Sequence, residues 1–140
     1  MGWTLTPINP GELHAWWPLV RPGLERVRIK AKAAWLSEDI YSAVRTGRAA
    51  MHVGYIDQAY AGVLVLSINA DPFTAERSLW IWAVYTRHPL ALQFGLADVK
   101  AMAARAGLHK VTFDSPRRGW SRRLAAEGFK VTEMKFERMV

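Results

Sequence analysis

The chain has 140 residues, of which 51% are hydrophobic and 22% charged, a composition typical of a single globular domain over 1–140. It contains no cysteine, which excludes disulfides and thiol nucleophiles. The 19 basic and 12 acidic residues give a formal net charge of +7, which favours contact with an acidic partner. No apolar run approaches the ~18 residues of a membrane span, and the N-terminal residues lack a secretion-signal pattern. We therefore expect neither membrane insertion nor secretion by a signal peptide.

Hydrophobic periodicity predicts the first elements of the chain. Alternating apolar and polar residues over 3–8 predict a strand, and Asn9-Pro10 has the pattern of a helix start. Pro18 and Pro22 predict that this helix breaks or kinks, with a second helical piece over 24–35.

The middle of the chain is predicted to hold a short helix, capped by Ser37, and then three strands. The strands are expected over 49–56, 59–68 and 79–86. Asp57-Gln58 predicts a two-residue turn between the first two of them. The second strand is apolar at almost every position, so both of its faces are expected to be covered.

The last third of the chain predicts helix, strand, helix and strand. The elements are expected over 90–106, 110–114, 118–127 and 130–139. Leu92, Leu96 and Val99 recur at helical spacing, and Met134 and Phe136 are predicted on the inner face of the final strand. Because a helix between two strands requires a crossover, the order predicts a mixed α/β sheet layered by helices.

The end of the chain, from Trp120 to Gly128-Phe129 followed by a strand, is similar to the corner that closes GNAT acetyltransferase domains. The tract Ala49-Ala50-Met51-His52-Val53 after a tryptophan-rich helix, and Arg118-Gly119-Trp120, resemble small GNAT-like proteins of tailed bacteriophages. This resemblance implies an α+β fold of the GNAT-like type, a mixed, mainly antiparallel sheet with helices on both faces. It also implies localisation in a virion or the host cytoplasm.

The sequence departs from the GNAT pattern at two places. GNAT enzymes hold the pyrophosphate of acyl-CoA in a glycine-rich loop after the fourth strand, whereas the matching tract here, 85–92, has no glycine. Arg87 and His88 are the candidate cofactor-binding residues because they offer charge, but Pro89 removes a donor N–H. Leu124 stands where many family members have the tyrosine that protonates the leaving thiolate.

The resemblance and its departures together favour a non-catalytic or degenerate GNAT-like domain. We expect a virion-associated structural or interaction protein that uses no cofactor and no metal, with phage structural proteins as its partners. The alternative is an acetyl-CoA-dependent N-acyltransferase of unknown substrate.

Basic and aromatic residues are the candidate partner contacts. They are Arg117, Arg118, Arg122, Arg123, Trp16 and Trp17. The arginines suit an acidic or phosphate-bearing partner, with nucleic-acid contact and a solvated surface as the alternatives. Adjacent helical residues point about 100° apart, so at least one of the two tryptophans is predicted near the surface or under a second layer.

Two other sites are weighed and set aside. The four histidines do not fall at the spacing of a helical zinc site. Asp114 and Ser115, with His109 on the same predicted strand, suggest a catalytic triad, but Asp114-Ser115-Pro116 has the composition of an ordinary turn.

Overall fold

One sheet with the strand order β1-β2-β3-β4-β5 forms the centre of the computed structural model, which describes residues 2–140. The strands are β1 (Trp3–Pro7), β2 (Ala50–Ile56), β3 (Ala59–Ala70), β4 (Arg77–Thr86) and β5 (Val111–Phe113). The helices are α1 (Leu13–Ala31), α2 (Ser37–Arg45), α3 (Ala91–Arg105) and α4 (Gly119–Ala125), and a 3-10 turn (Pro10–Glu12) precedes α1. The first four strands are antiparallel neighbours, and β5 is parallel to β4. The predicted mixed, mainly antiparallel sheet is confirmed.

The β2–β3 hairpin shows why the chain turns at the predicted place. Asp57 and Gln58 both have positive φ, 50° and 69°, which suits the tight hairpin turn whose twist matches that of the strands. Beyond the turn, residues 61–66 of β3 are all buried. The expectation that this strand is covered on both faces is therefore confirmed.

Apolar side chains cover the two faces of the sheet in separate clusters. Leu13, Leu24 and Ile40 of α1 and α2 pack on one face. Leu96 and Val99 of α3 pack on the other face, as their helical spacing predicts. No helix within residues 2–140 is long and apolar enough to cross a lipid bilayer.

Helix α1 is continuous through both of its prolines, so the predicted break is wrong. Each proline removes one backbone hydrogen bond, but Pro18 and Pro22 lie one helical turn apart on an exposed face. The opposite face buries Leu13, Val20 and Leu24 completely. Burial of this face outweighs the loss of two solvent-facing hydrogen bonds.

The predicted final strand is also wrong. Residues 130–140 form no strand and are exposed throughout, including Met134 and Phe136, which were expected to face inward. A strand needs a partner edge, and β5 is only three residues long. Strand pattern alone therefore does not produce a sixth strand in this chain.

Glu25 joins α1 to the start of α2. Its carboxylate accepts hydrogen bonds from Arg28 Nη2, at 2.8 Å, and from the hydroxyl of Ser37. Ser37 was predicted to cap α2, but it is the first residue of the helix, and Leu36 occupies the cap position. The hydrogen bonds from Arg28 and then Ser37 lower the pKa of Glu25 from 4.5 to about 2.

The substitution Glu25→Gln should lower the free energy of unfolding near neutral pH. A lowered pKa in the folded state stabilises the fold above pH 4.5, and this contribution is lost as the pH falls through about 2. The difference between variant and wild type should therefore shrink between these values in urea unfolding followed by circular dichroism. Glu12→Gln, at an exposed carboxylate, is the matched control. A difference that stays constant down to pH 2 would contradict the assignment.

Candidate functional site

Strands β4 and β5 separate partway along their length. Their ladder runs from Leu79 opposite Val111 to Ile81 opposite Phe113. Strand β4 continues to Thr86, whereas β5 ends at Phe113. A gap, called here the β4–β5 gap, therefore opens in the sheet between residues 82–86 and the loop that follows β5.

A β-bulge in β4 lies where this gap begins. Val65 of β3 is opposite Ala83, but the next residue, Leu66, is opposite Ile81, so Trp82 is an extra residue on β4. Both Trp82 and Ala83 consequently pack in the cluster beneath α1. A bulge bends its strand and increases the local twist, and the β4–β5 ladder ends at Ile81, the residue before this bulge.

A cavity of about 60 Å³ lies in the β4–β5 gap. Its walls combine residues from the α1 side of the sheet with residues from the α4 side, so it passes from one face to the other. They include Val27, Ala31, Trp35 and Trp82 on the first side and Phe113 and Trp120 on the second, with Asp114, Ser115 and Arg117 from the loop after β5. This volume accommodates about two water molecules.

Three polar side chains of the cavity wall are candidates for chemistry or binding. Ser115 Oγ accepts the backbone N–H of Arg117 at 3.1 Å, which leaves the hydroxyl hydrogen available to another acceptor. The exposed carboxylate of Asp114 is its neighbour in the chain. The indole Nε1 of Trp82 is buried and has no hydrogen-bond acceptor among residues 2–140.

The Asp114, Ser115 and His109 set is not brought together as a triad. His109 precedes β5 and the other two follow it. An extended strand rises about 3.3 Å per residue, so β5 separates His109 from Asp114 by roughly 15 Å. Within residues 2–140 no group of three His, Asp or Glu side chains is placed to hold a metal ion.

Arg87 and His88, the candidate cofactor residues, are both engaged within the chain. The guanidinium of Arg87 lies 5.1 Å from the centre of the Tyr60 ring and donates to the hydroxyl of Tyr85 at 3.4 Å. The hydrogen bond to Tyr85 raises the pKa of Arg87. Burial raises the pKa of the Tyr60 hydroxyl beside it to about 12.

His88 occupies the donors at the start of α3. Its Nδ1 accepts the backbone N–H of Leu90, and its carbonyl accepts that of Ala91, both at 3.1 Å. Pro89 has no N–H. Positions 89 to 91 therefore offer an anion no unoccupied backbone donor.

The basic cluster divides into stacked and free arginines. Arg117 and Arg123 lie 5.9 and 5.3 Å from the centre of the Trp120 ring, which itself packs edge-on against Phe113 at 5.0 Å. Arg118 and Arg122 are exposed and make no such contact in the described part of the chain. Arg123 follows Trp120 by three residues on the same helix, a spacing from which this contact was predictable.

Trp16 and Trp17 are half-buried and lie outside the cavity. Trp17 packs edge-on against Tyr41 of α2 at 4.9 Å, which is the second layer expected for adjacent helical aromatics. The aromatic residues that do line the cavity on the α1 side are Trp35 and Trp82. The sequence analysis identified neither of them as a site residue.

Leu124 is buried in the core beneath α3 and α4, with 9% of its surface exposed. Its side chain packs in this core and does not line the cavity, and it has no proton to donate.

No protein-family model matches the chain, and no curated protein sequence is similar to it. Solved structures do match over nearly the full length. A GCN5-related N-acetyltransferase from Ralstonia eutropha JMP134 has 15% identity and a TM-score of 0.73, covering 99% of each chain. AAC(6')-Iy, in complex with the bisubstrate analog CoA-S-monomethyl-acetylneamine, has 17% identity and a TM-score of 0.68, covering 100% of this chain and 99% of that one.

A third similar structure is that of a predicted acetyltransferase from Clostridium acetobutylicum with acetyl-CoA. It has 12% identity and a TM-score of 0.70, with coverage of 99% of this chain and 96% of that one. Nothing in these comparisons links the chain to bacteriophage proteins. At this level of identity the likeness is one of fold, and the chain therefore has the fold of the GNAT acetyltransferases.

Proposed function

We propose that the chain is an acyl-CoA-dependent N-acyltransferase that holds the pantetheine arm of its substrate in the β4–β5 gap. The observation that carries the proposal is the cavity that passes through the sheet beside the Trp82 bulge. Beyond Ile81, β4 presents a strand edge that β5 does not pair, and such an edge binds the amide groups of an extended ligand. Because the cavity alone is smaller than the arm, the arm lies along the exposed edge of β4 and only its thioester end enters the cavity beside Asp114 and Ser115.

The reaction then proceeds by direct transfer. The amine nitrogen attacks the thioester carbonyl carbon, the C–N bond forms, the C–S bond breaks, and coenzyme A leaves as a thiolate. In this proposal the Asp114 carboxylate accepts the proton that the attacking amine loses, and the Ser115 hydroxyl donates a hydrogen bond to the thiolate, which then takes a proton from solvent. The remaining acceleration comes from holding the two reactants together in the gap.

The substitution Ser115→Ala should lower kcat for acyl transfer to an amine by about 100-fold and leave KM for acetyl-CoA nearly unchanged. Release of the coenzyme A thiol, with a panel of primary amines as acceptors, measures both constants. Ser115→Thr should retain most of the activity, because it keeps the hydroxyl. The exposed Ser121→Ala on α4 is the control. An unchanged kcat in Ser115→Ala would remove Ser115 from the mechanism.

Acetyl-CoA and S-acetylpantetheine should bind with similar affinity, within about threefold. Positions 89–91 offer the pyrophosphate no free backbone donor and leave only the N–H groups of Leu92 and Gln93 at the start of α3, so the nucleotide half of the substrate adds little. Calorimetric titration of the two compounds tests this directly. Affinity for acetyl-CoA in the low micromolar range, with much weaker binding of S-acetylpantetheine, would show an anchor elsewhere in the chain.

The variant Pro89→Gly tests the same explanation by adding a backbone donor instead of removing part of the ligand. It restores one N–H beside the α3 N-terminus, and a hydrogen bond to a charged group contributes about 1.5 kcal/mol or more. We expect acetyl-CoA to bind about tenfold more tightly to the variant and S-acetylpantetheine to bind as before. An equal gain for both compounds would point to a general change in the loop.

A second proposal is that the fold serves to bind another protein, as expected of a phage structural component. The observation that favours it is Leu124, a buried apolar residue where many GNAT enzymes place an acid. The exposed Arg118 and Arg122 would then contact an acidic partner. A folded protein that transfers no acyl group to any amine, whether or not it binds acetyl-CoA, would favour this second proposal over the first.

The arginine cluster should separate into structural and free members. Arg123→Gln should cost about 0.5–1 kcal/mol of stability, because it removes a cation–π contact with Trp120. Arg122→Gln, its neighbour on the same helix, should leave stability unchanged and weaken only the binding of an acidic partner, less so at high salt. Thermal unfolding of the two single variants makes the comparison. Equal costs would mean that the stack contributes nothing.

A further inference from the structure

The cavity in the β4–β5 gap has one negative and one positive side chain in its wall, both from the loop after β5. Asp114 and Arg117 line the cavity and are exposed, so a ligand can reach them from solvent at the opening of the cavity. Ser115, which lies between them, accepts the backbone N–H of Arg117 at 3.1 Å and so holds the loop in one shape. Because three residues span at most about 10 Å, one small molecule can contact both charges.

These two opposite charges do not neutralise each other. Within residues 2–140 neither Asp114 nor Arg117 forms an ion pair, with the other or with any further side chain. The guanidinium of Arg117 instead lies 5.9 Å from the centre of the Trp120 ring. A guanidinium over a ring keeps its in-plane N–H donors available, and these donors match a carboxylate. The loop therefore offers one carboxylate to a cation and one guanidinium to an anion.

The wall on the α1 side of the same cavity is apolar and aromatic. It consists of Val27 and Ala31 of α1, Trp35 beyond the end of that helix, and Trp82 of β4. All four are half-buried, so each keeps surface that a ligand can cover. Trp35 meets Trp82 edge-on at 6.3 Å. This wall suits an apolar or aromatic group and carries no charge of its own.

We infer that this part of the cavity binds a free α-amino acid with a large apolar side chain, which under the proposed function is the acyl acceptor. An α-amino acid carries an ammonium, a carboxylate and a side chain on one carbon. The carboxylate of Asp114 accepts hydrogen bonds from the ammonium, and the guanidinium of Arg117 donates to the carboxylate. The side chain of the amino acid lies against the apolar wall.

The naming of the acceptor rests on the proposed function and fits its proton transfers. The bound ammonium loses one proton to solvent, and the resulting amine attacks the thioester carbon. It loses its second proton to Asp114, the carboxylate that already holds the nitrogen. The products are the N-acyl amino acid and coenzyme A.

Binding in the absence of acyl-CoA tests the ligand class separately from acyl transfer. The full-length protein is titrated calorimetrically with L-phenylalanine and with three analogues that each lack one group. Phenethylamine lacks the carboxylate, 3-phenylpropionate lacks the ammonium, and L-alanine lacks the ring. L-Phenylalanine should bind about tenfold or more tightly than each analogue, because each analogue loses either a charged hydrogen bond or an apolar contact.

Two substitutions assign the charged contacts to their residues. Arg117→Gln should weaken the binding of L-phenylalanine about tenfold and change that of phenethylamine less than about threefold. Arg117→Lys keeps the positive charge and should lose less affinity. Asp114→Asn should weaken L-phenylalanine and phenethylamine about tenfold and leave 3-phenylpropionate unaffected. Arg105→Gln, at an exposed position of α3 outside the cavity, is the control and should bind as the wild type does.

Failure of this inference is distinguishable from failure of the proposed function. Binding of L-phenylalanine that is no tighter than that of phenethylamine overturns the inference, even where acyl transfer to other amines is measured. An equal effect of Arg117→Gln and Arg105→Gln, with unchanged circular dichroism, also overturns it. The expected binding pattern without release of the coenzyme A thiol would support the amino-acid site and contradict the acyltransferase activity.

Discussion

Between Ile81 and Ala83, β4 has one residue more than β3 can pair, and the geometry of the site depends on this mismatch. The extra residue, Trp82, is directed to the same side of the sheet as Ala83. There its ring stacks on Trp80 at 5.5 Å and meets Trp35 edge-on at 6.3 Å. The ladder between β4 and β5 ends at Ile81, the residue before Trp82, and the sheet opens beyond it.

Helix α1 holds the other wall of the opening in place. It approaches β4 so closely at Gly23 that a Cβ atom there would overlap the ring of Tyr85. The same helix supplies Val27 and Ala31 to the cavity, one and two turns further on. The hydrogen bond that the Ser37 hydroxyl donates to Glu25 then joins the start of α2 to α1. A cavity that crosses the sheet therefore results from a bulge on one element and a close helix contact on another.

Much of the fold was predictable because the signals were local. The spacing of Leu92, Leu96 and Val99 predicts α3, and Asp57-Gln58 predicts the hairpin turn. The bulge was not predictable, because its cause is the pairing of β4 with β3, and nothing near Trp82 in the sequence marks an extra residue. For the same reason Asp114 and Ser115 were considered only as a turn or a triad. Their place in the cavity wall depends on where β5 ends.

The two incorrect element predictions have opposite causes. At Pro18 and Pro22 the sequence predicts a helix break, yet α1 continues. Burial of its apolar face contributes more free energy than the loss of two exposed hydrogen bonds costs. Residues 130–140 have a strand pattern, but the edge of β5 is only three residues long and too short to pair with them. Local sequence favours one type of element, and that element forms only where another part of the chain can pack or pair with it.

Under the proposed function, the two halves of acyl-CoA are bound by two different kinds of backbone contact. The pantetheine arm contacts strand edges, whose exposure follows from topology and the bulge and tolerates many sequences. The pyrophosphate contacts backbone N–H groups at the start of a helix, and Pro89 and the hydrogen bonds of His88 remove those of positions 89–91 here. Under this proposal the strand-edge contacts to the pantetheine arm are therefore retained, whereas the contacts to the pyrophosphate are reduced. This explains how a chain can have the GNAT fold and a gap in its sheet while lacking the glycine-rich motif by which GNAT sequences are recognised.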